Sequence, residues 1–72
     1  MTDFEYMKEA LVTEIVMMLI EKEGMDMKSA FVLFYNSETY GKLSNPSSGL
    51  YFQSPGYVYS FLQTEIITGK IG

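Results

Sequence analysis

The sequence contains no cysteine and no histidine. No disulfide and no thiolate metal site can form without cysteine. Without histidine the commonest metal ligand and general base is missing as well. Ser and Thr are plentiful, but they lack the partner that an ordinary catalytic triad requires. Arginine is absent too, and the basic residues are Lys8, Lys22, Lys28, Lys42 and Lys70. Nucleic-acid binding needs a basic footprint and favours Arg for phosphates and base edges. The formal net charge here is −4, so nucleic acid is excluded as a partner. The same sign disfavours an anionic membrane surface. The acids are unevenly placed. Asp3, Glu5, Glu9, Glu14, Glu21, Glu23 and Asp26 crowd the first half, and only Glu38 and Glu65 follow.

Long hydrophobic runs are also lacking. The most apolar stretch, Ala10 to Ile20, contains Thr13 and Glu14. It falls short of the roughly 18–20 apolar residues that span a bilayer. A secretory leader needs a basic start, whereas Asp3 and Glu5 stand here. Together with the missing cysteines this gives the expectation of a cytoplasmic protein. Gly49 and Gly56 flank no phosphate-binding signature. The acids at 21, 23 and 26 lack the spacing of a calcium loop. Lys as a base and Tyr as a nucleophile are chemically available, but no spacing promotes them. The expectation is no metal, no cofactor and no enzyme.

What is present is a strong helical pattern. Wound at about 100° per residue, residues 4–23 place Phe4, Met7, Leu11, Ile15 and Met18 on one line. Val12, Val16, Leu19 and Ile20 cover the adjacent face. The remaining arc holds Ala10, Thr13, Glu14 and Met17. A helix that is apolar nearly all round is buried by more than one neighbour. The spacing predicts a first helix over 3–23, capped by Thr2 with Glu5 reaching back and ended by Gly24.

Asp26 predicts the cap of a second helix over 27–36. Its inner face is Met27, Ala30, Phe31 and Phe34, and the short connection folds it back on the first as a hairpin. Ser37 starts a separate short turn, ETYGKL. Residues 44–49 (SNPSSG) are turn formers, followed by the apolar patch Leu50-Tyr51-Phe52. Ser54-Pro55 opens a last helix with Pro in its first turn. Val58, Leu62 and Ile66 line that helix, Tyr59 and Phe61 border the line, and Gly69 stops it. The rival reading of residues 50–61 is a hairpin of two short strands around Pro55-Gly56. The expected fold is thus one all-α domain over 1–72, a small three- to four-helix bundle with a structured aromatic loop. The alternative is α+β with a C-terminal hairpin.

The segment Tyr35-Asn-Ser-Glu-Thr-Tyr40-Gly-Lys-Leu43, then Gly49-Leu-Tyr51-Phe-Gln-Ser54 and Tyr57-Val-Tyr59, carries a distinctive pattern. It resembles a family of very short bacterial proteins of unknown function, common in gut anaerobes, with the pattern "FY-S-TY--L----GLY-QS--Y". The resemblance covers most of the chain, from the first helix to Tyr59. It assigns no chemistry. Through some relatives associated with toxin-like genes, the resemblance implies an antitoxin-like or partner-binding role as the small partner of another protein.

Three constellations bear on function. The rings of Tyr35, Tyr40, Tyr51, Phe52, Tyr57 and Tyr59 offer contact area for a partner. Closure of an undersized core by a folded-back loop is the stronger reading of them. The methionines suit adaptable surfaces or gap-filling. Gap-filling fits Met18 and Met27, while Met17 belongs to the open arc. Glu14 fits an exposed position on that arc better than a buried acid of raised pKa.

A chain this short buries only about 60% of its unfolded surface, and such a core rarely supplies more than about 3–5 kcal/mol. With no disulfide or metal, oligomerisation is the remaining staple. The preferred function is a self-associating, non-enzymatic interaction module, a twofold dimer meeting through Met17, Val32 or Ile67. The candidate partner-binding residues are Tyr40, Tyr51, Phe52, Tyr57 and Met17. The alternative is a small-molecule or peptide binder that uses the aromatic loop. Within the loop, Leu50 and one of Tyr51 and Phe52 are expected to pack back on the first and last helices.

Overall fold

The structure, a computed structural model, describes residues 3–69. It is all-α, with no strand among the described residues. Helix α1 spans Asp3–Glu23, α2 Met27–Tyr35, α3 Glu38–Leu43 and α4 Pro55–Thr68. Two 3₁₀ turns, Pro46–Ser48 and Leu50–Phe52, lie between α3 and α4. The hairpin alternative for residues 50–61 is therefore wrong. Leu50 begins a 3₁₀ turn and Pro55 begins a helix, because Ser54 supplies the N-cap that a strand would not need. The Tyr57 N–H donates to Ser54 Oγ at 3.2 Å.

Local signals place the ends of the other elements as well. Gly24 leaves α1 at φ 68°, a conformation open to glycine because it lacks a Cβ. Asp26 caps α2 by accepting from Ser29 N at 3.1 Å and from Ser29 Oγ at 2.7 Å. Those bonds hold its carboxyl below the usual range. Ser37 caps α3 by accepting from Tyr40 N at 3.0 Å. The expected cap at Thr2 lies outside the described residues.

The core gathers around α1. Leu11, Val12, Ile15, Val16 and Leu19 are buried against Ala30 and Phe34 of α2, Leu43 of α3, Leu50 of the second 3₁₀ turn, and Val58, Tyr59 and Leu62 of α4. Met18 packs against this cluster as a gap-filler. Met27 does not, and is 61% exposed. Helical side chains lean toward the N-terminus, so Met27, in the first turn of α2, leans off the end of the hairpin. Met25 in the connection fills that end instead. Ile66 is a second correction. It follows Val58 and Leu62 in register but is exposed, because a groove between α2 and α4 leaves it open.

Candidate functional site

Helix α1 sorts its side chains by charge as well as by hydropathy. Its two lysines lean over aromatic rings: Lys8 Nζ is 5.6 Å from the Phe4 ring centre and Lys22 Nζ 5.7 Å from that of Tyr59. Tyr59 is buried and donates its hydroxyl to Glu23 Oε2 at 3.2 Å. Burial pushes this phenol up, and the bond to Glu23 adds to the shift. The opposite arc carries Tyr6, Ala10, Thr13 and Met17, all exposed, and the exposed acids Glu9, Glu14 and Glu21 border it. The four residues recur at intervals of four, three and four, the spacing of one stripe along a helix. Thr13 turns its hydroxyl back to Glu9 O at 3.1 Å, so it needs no outside partner.

The stripe continues onto the loop. Gly49 at φ 74° turns the chain into Leu50–Phe52. Leu50 is then buried, and the turn docks on α1 and α3. Leu50 shares the buried cluster with Val58, Tyr59 and Leu62 of the last helix, and the turn meets α3 in addition. Tyr51 is half-buried and stands edge-on to Phe4, with ring centres 4.8 Å apart. Phe52, 67% exposed, tilts over Tyr51 at 4.2 Å. Across from it stands Tyr6, 68% exposed. The two rings take part in a shallow groove of about 270 Å³ with Met7, Ala10, Leu11 and Pro55.

A second apolar face lies where α2 meets α4. Val32, Leu33, Leu62 and Ile66 line a groove of about 360 Å³, together with Asn36, Ser37 and Glu65. Glu65 is its only acid among the described residues, and it is engaged. It accepts from Glu38 N at 2.8 Å, from Thr39 N at 3.0 Å and from Thr39 Oγ1 at 2.9 Å. An acidic side chain of α4 thus caps the N-terminus of α3, where helix dipoles favour an anion. Burial raises its pKa, but the three hydrogen bonds outweigh burial and leave it below the usual value. Thr39, the buried polar residue of the core, is satisfied by the same carboxylate.

The five candidate residues do not form one site. Tyr51 and Phe52 border the α1 groove, and Met17 lies on the same arc two to three turns further along. Tyr40 stands edge-on to Phe34 at 5.5 Å and to Tyr35 at 4.8 Å, beside Glu5, Lys8 and Glu9. Tyr57 is exposed and edge-on to Phe61 at 5.1 Å, in a third place beside Lys42. Tyr6 is the residue that sequence reasoning missed. Its signal was its place one helical step before Ala10 on the open arc. Glu65 was missed as well, since nothing local marks an acid that caps another helix.

Among the described residues no three Asp or Glu side chains gather closely enough to hold a metal ion, and no helix is long and apolar enough to cross a membrane. Comparison with protein-family models, curated proteins and solved structures finds no match to this chain.

Proposed function

We propose that this chain is a non-enzymatic protein-interaction module of the cytoplasm that self-associates and serves as the small partner of another protein. The observation that carries the reading is Ile67. It is 82% exposed and adjoins the exposed Ile66 in a small pocket with Glu23 and Gln63, and Ile66 in turn lines the α2–α4 groove with the exposed Val32. Contiguous exposed apolar side chains mark contact sites. Both acids at this face are already hydrogen-bonded, Glu65 by α3 and Glu23 by the Tyr59 hydroxyl, which lowers the cost of bringing two copies together there. A closed twofold pair is the commonest way to bury such a face. The second half of the proposal follows from the resemblance to a family of short bacterial proteins, some of them associated with toxin-like genes.

Sedimentation velocity tests it. A dimer is expected at micromolar concentration, and Ile67→Asp is expected to convert it to monomer. A wild-type chain that stays monomeric across that range would remove self-association. The aromatic loop favours peptide over small molecule. The groove beside Phe52 is open, and at about 270 Å³ it is smaller than the roughly 300–1,000 Å³ of ligand pockets.

A further inference from the structure

The outer arc of α1 differs in chemistry from the α2–α4 groove, and the difference selects its occupant. Tyr6, Ala10, Thr13 and Met17 follow the alternating four-and-three spacing of a coiled-coil seam, and the half-buried Ile20 extends it. From Tyr6 to Ile20 this seam runs roughly 21 Å at helical rise. The side chains at its centre, Ala10 and Thr13, are small enough to let a second helix approach. Tyr6 and Phe52 stand at one end as aromatic anchors, the residue type that dominates contact energies. The borders are acidic, with Glu9, Glu14 and Glu21 exposed. Lys8 and Lys22, the lysines of α1, are drawn to the Phe4 and Tyr59 rings.

We infer that this face binds an amphipathic helix of a partner protein, one with small or apolar residues at heptad spacing and Lys or Arg on both flanks. Charge complementarity decides against a second copy of this chain. A twofold pair through the arc would bring acidic borders together, and like charges at such flanking positions oppose pairing. A basic flank reverses the sign. The inference rests on the reading of the chain as an interaction module but not on self-association, which uses the other face.

The test uses a fluorescently labelled synthetic helix of three heptads, with Leu and Ala on its seam and Lys on its flanks. Its binding to the whole chain is followed by fluorescence anisotropy. Two control peptides are used, one with Glu flanks and one that scrambles the Lys peptide. Both controls are expected to bind at least roughly tenfold more weakly. Ala10→Glu in the protein is expected to abolish binding of the Lys peptide while leaving the sedimentation coefficient unchanged. Replacing Glu9, Glu14 and Glu21 by Lys together is expected to invert the preference toward the Glu-flanked peptide. Circular dichroism of both variants verifies that the helices remain. Equal binding of the scrambled peptide would overturn the inference, because attraction would then be charge without a seam. Loss of the dimer on Ala10→Glu would overturn it too, since the face would then belong to a second copy. Absence of binding to any of the three peptides would do the same.

Discussion

The α2–α4 groove and the outer arc of α1 are both apolar and both exposed, yet they treat charge in opposite ways. In the groove the single carboxylate, Glu65, is consumed by three donors of α3. On the arc the carboxylates of Glu9, Glu14 and Glu21 border the apolar stripe and face outward. Apolar area sets how much a contact can gain, while flanking charge sets what may approach. Two patches of similar hydropathy on one small chain can therefore choose different partners. Counting exposed hydrophobic side chains would not separate them.

The comparison breaks most severely if the scaffold under both faces is removed. Leu11→Ala or Ile15→Ala should cost about 2–5 kcal/mol, as for other buried large-to-small changes. Both residues lie in the core of α1. A domain of this size has little more than that to lose, so denaturant melts should show either variant largely unfolded, with both faces gone. Glu14→Gln, on the exposed arc, should stay within about 0.5 kcal/mol of the wild type. If it ranked worse than Leu11→Ala, the orientation of α1 would be wrong.

The next largest effect concerns the groove alone. Glu65→Gln keeps the shape but weakens the charge-assisted bonds to Glu38 N and Thr39 N, at a cost of about 1–3 kcal/mol. The loss should depend on pH. The folded pKa of Glu65 is depressed below its ordinary value of 4.5, so the unfolded chain binds the proton more readily. The stabilisation is then complete above the ordinary carboxylate range and disappears as pH falls through the folded value. Thermal melts from neutral pH downward should therefore converge for wild type and Glu65→Gln in acid. A constant gap would mean that the carboxylate charge is not what holds α3.

Smaller still are changes that leave the fold of the single chain alone and sharpen the distinction between faces. Ile67→Asp, at a position 82% exposed in the single chain, should keep its helical circular dichroism while sedimenting as monomer, and should melt below the wild type only at concentrations where the wild type is a dimer. Its affinity for the Lys-flanked peptide should be unchanged. If that peptide also dissociated, the two faces would be one.

Much of the fold was legible because its signals are local. Gly24, Asp26, Ser37, Ser54-Pro55 and Gly69 each mark an end through backbone freedom or a cap within three residues. Leu50 was legible as an anchor because an apolar residue after turn formers has little reason to stay in water. The misses share a different cause. Met27 and Ile66 fit the apolar register of their helices, but register says which side faces inward and not how far the covering neighbour extends. Glu65 reads as an ordinary surface acid, and its role appears only when α3 is brought against it from 26 and 27 residues away. The candidate site was legible only in part for the same reason. Tyr51, Phe52 and Met17 could be named one by one, but their common border with Tyr6 depends on how the loop docks. Tyr40 and Tyr57 matched them in type and were carried elsewhere by the fold.

The carboxylate of Glu65 also sets an order of events. Helix α3 has six residues, too few to persist alone, because a first helical turn costs more than it returns. Its N-terminal amides acquire their acceptor only once α4 has formed and docked. The two helices should therefore open and close as one cooperative unit, although 11 residues of loop and 3₁₀ turn lie between them. Hydrogen exchange reads this directly. The amides of Glu38 and Thr39 should exchange as slowly as those in the middle of α4, and not at the rate of a fraying short helix. In Glu65→Gln they should be released first, while α4 keeps its protection.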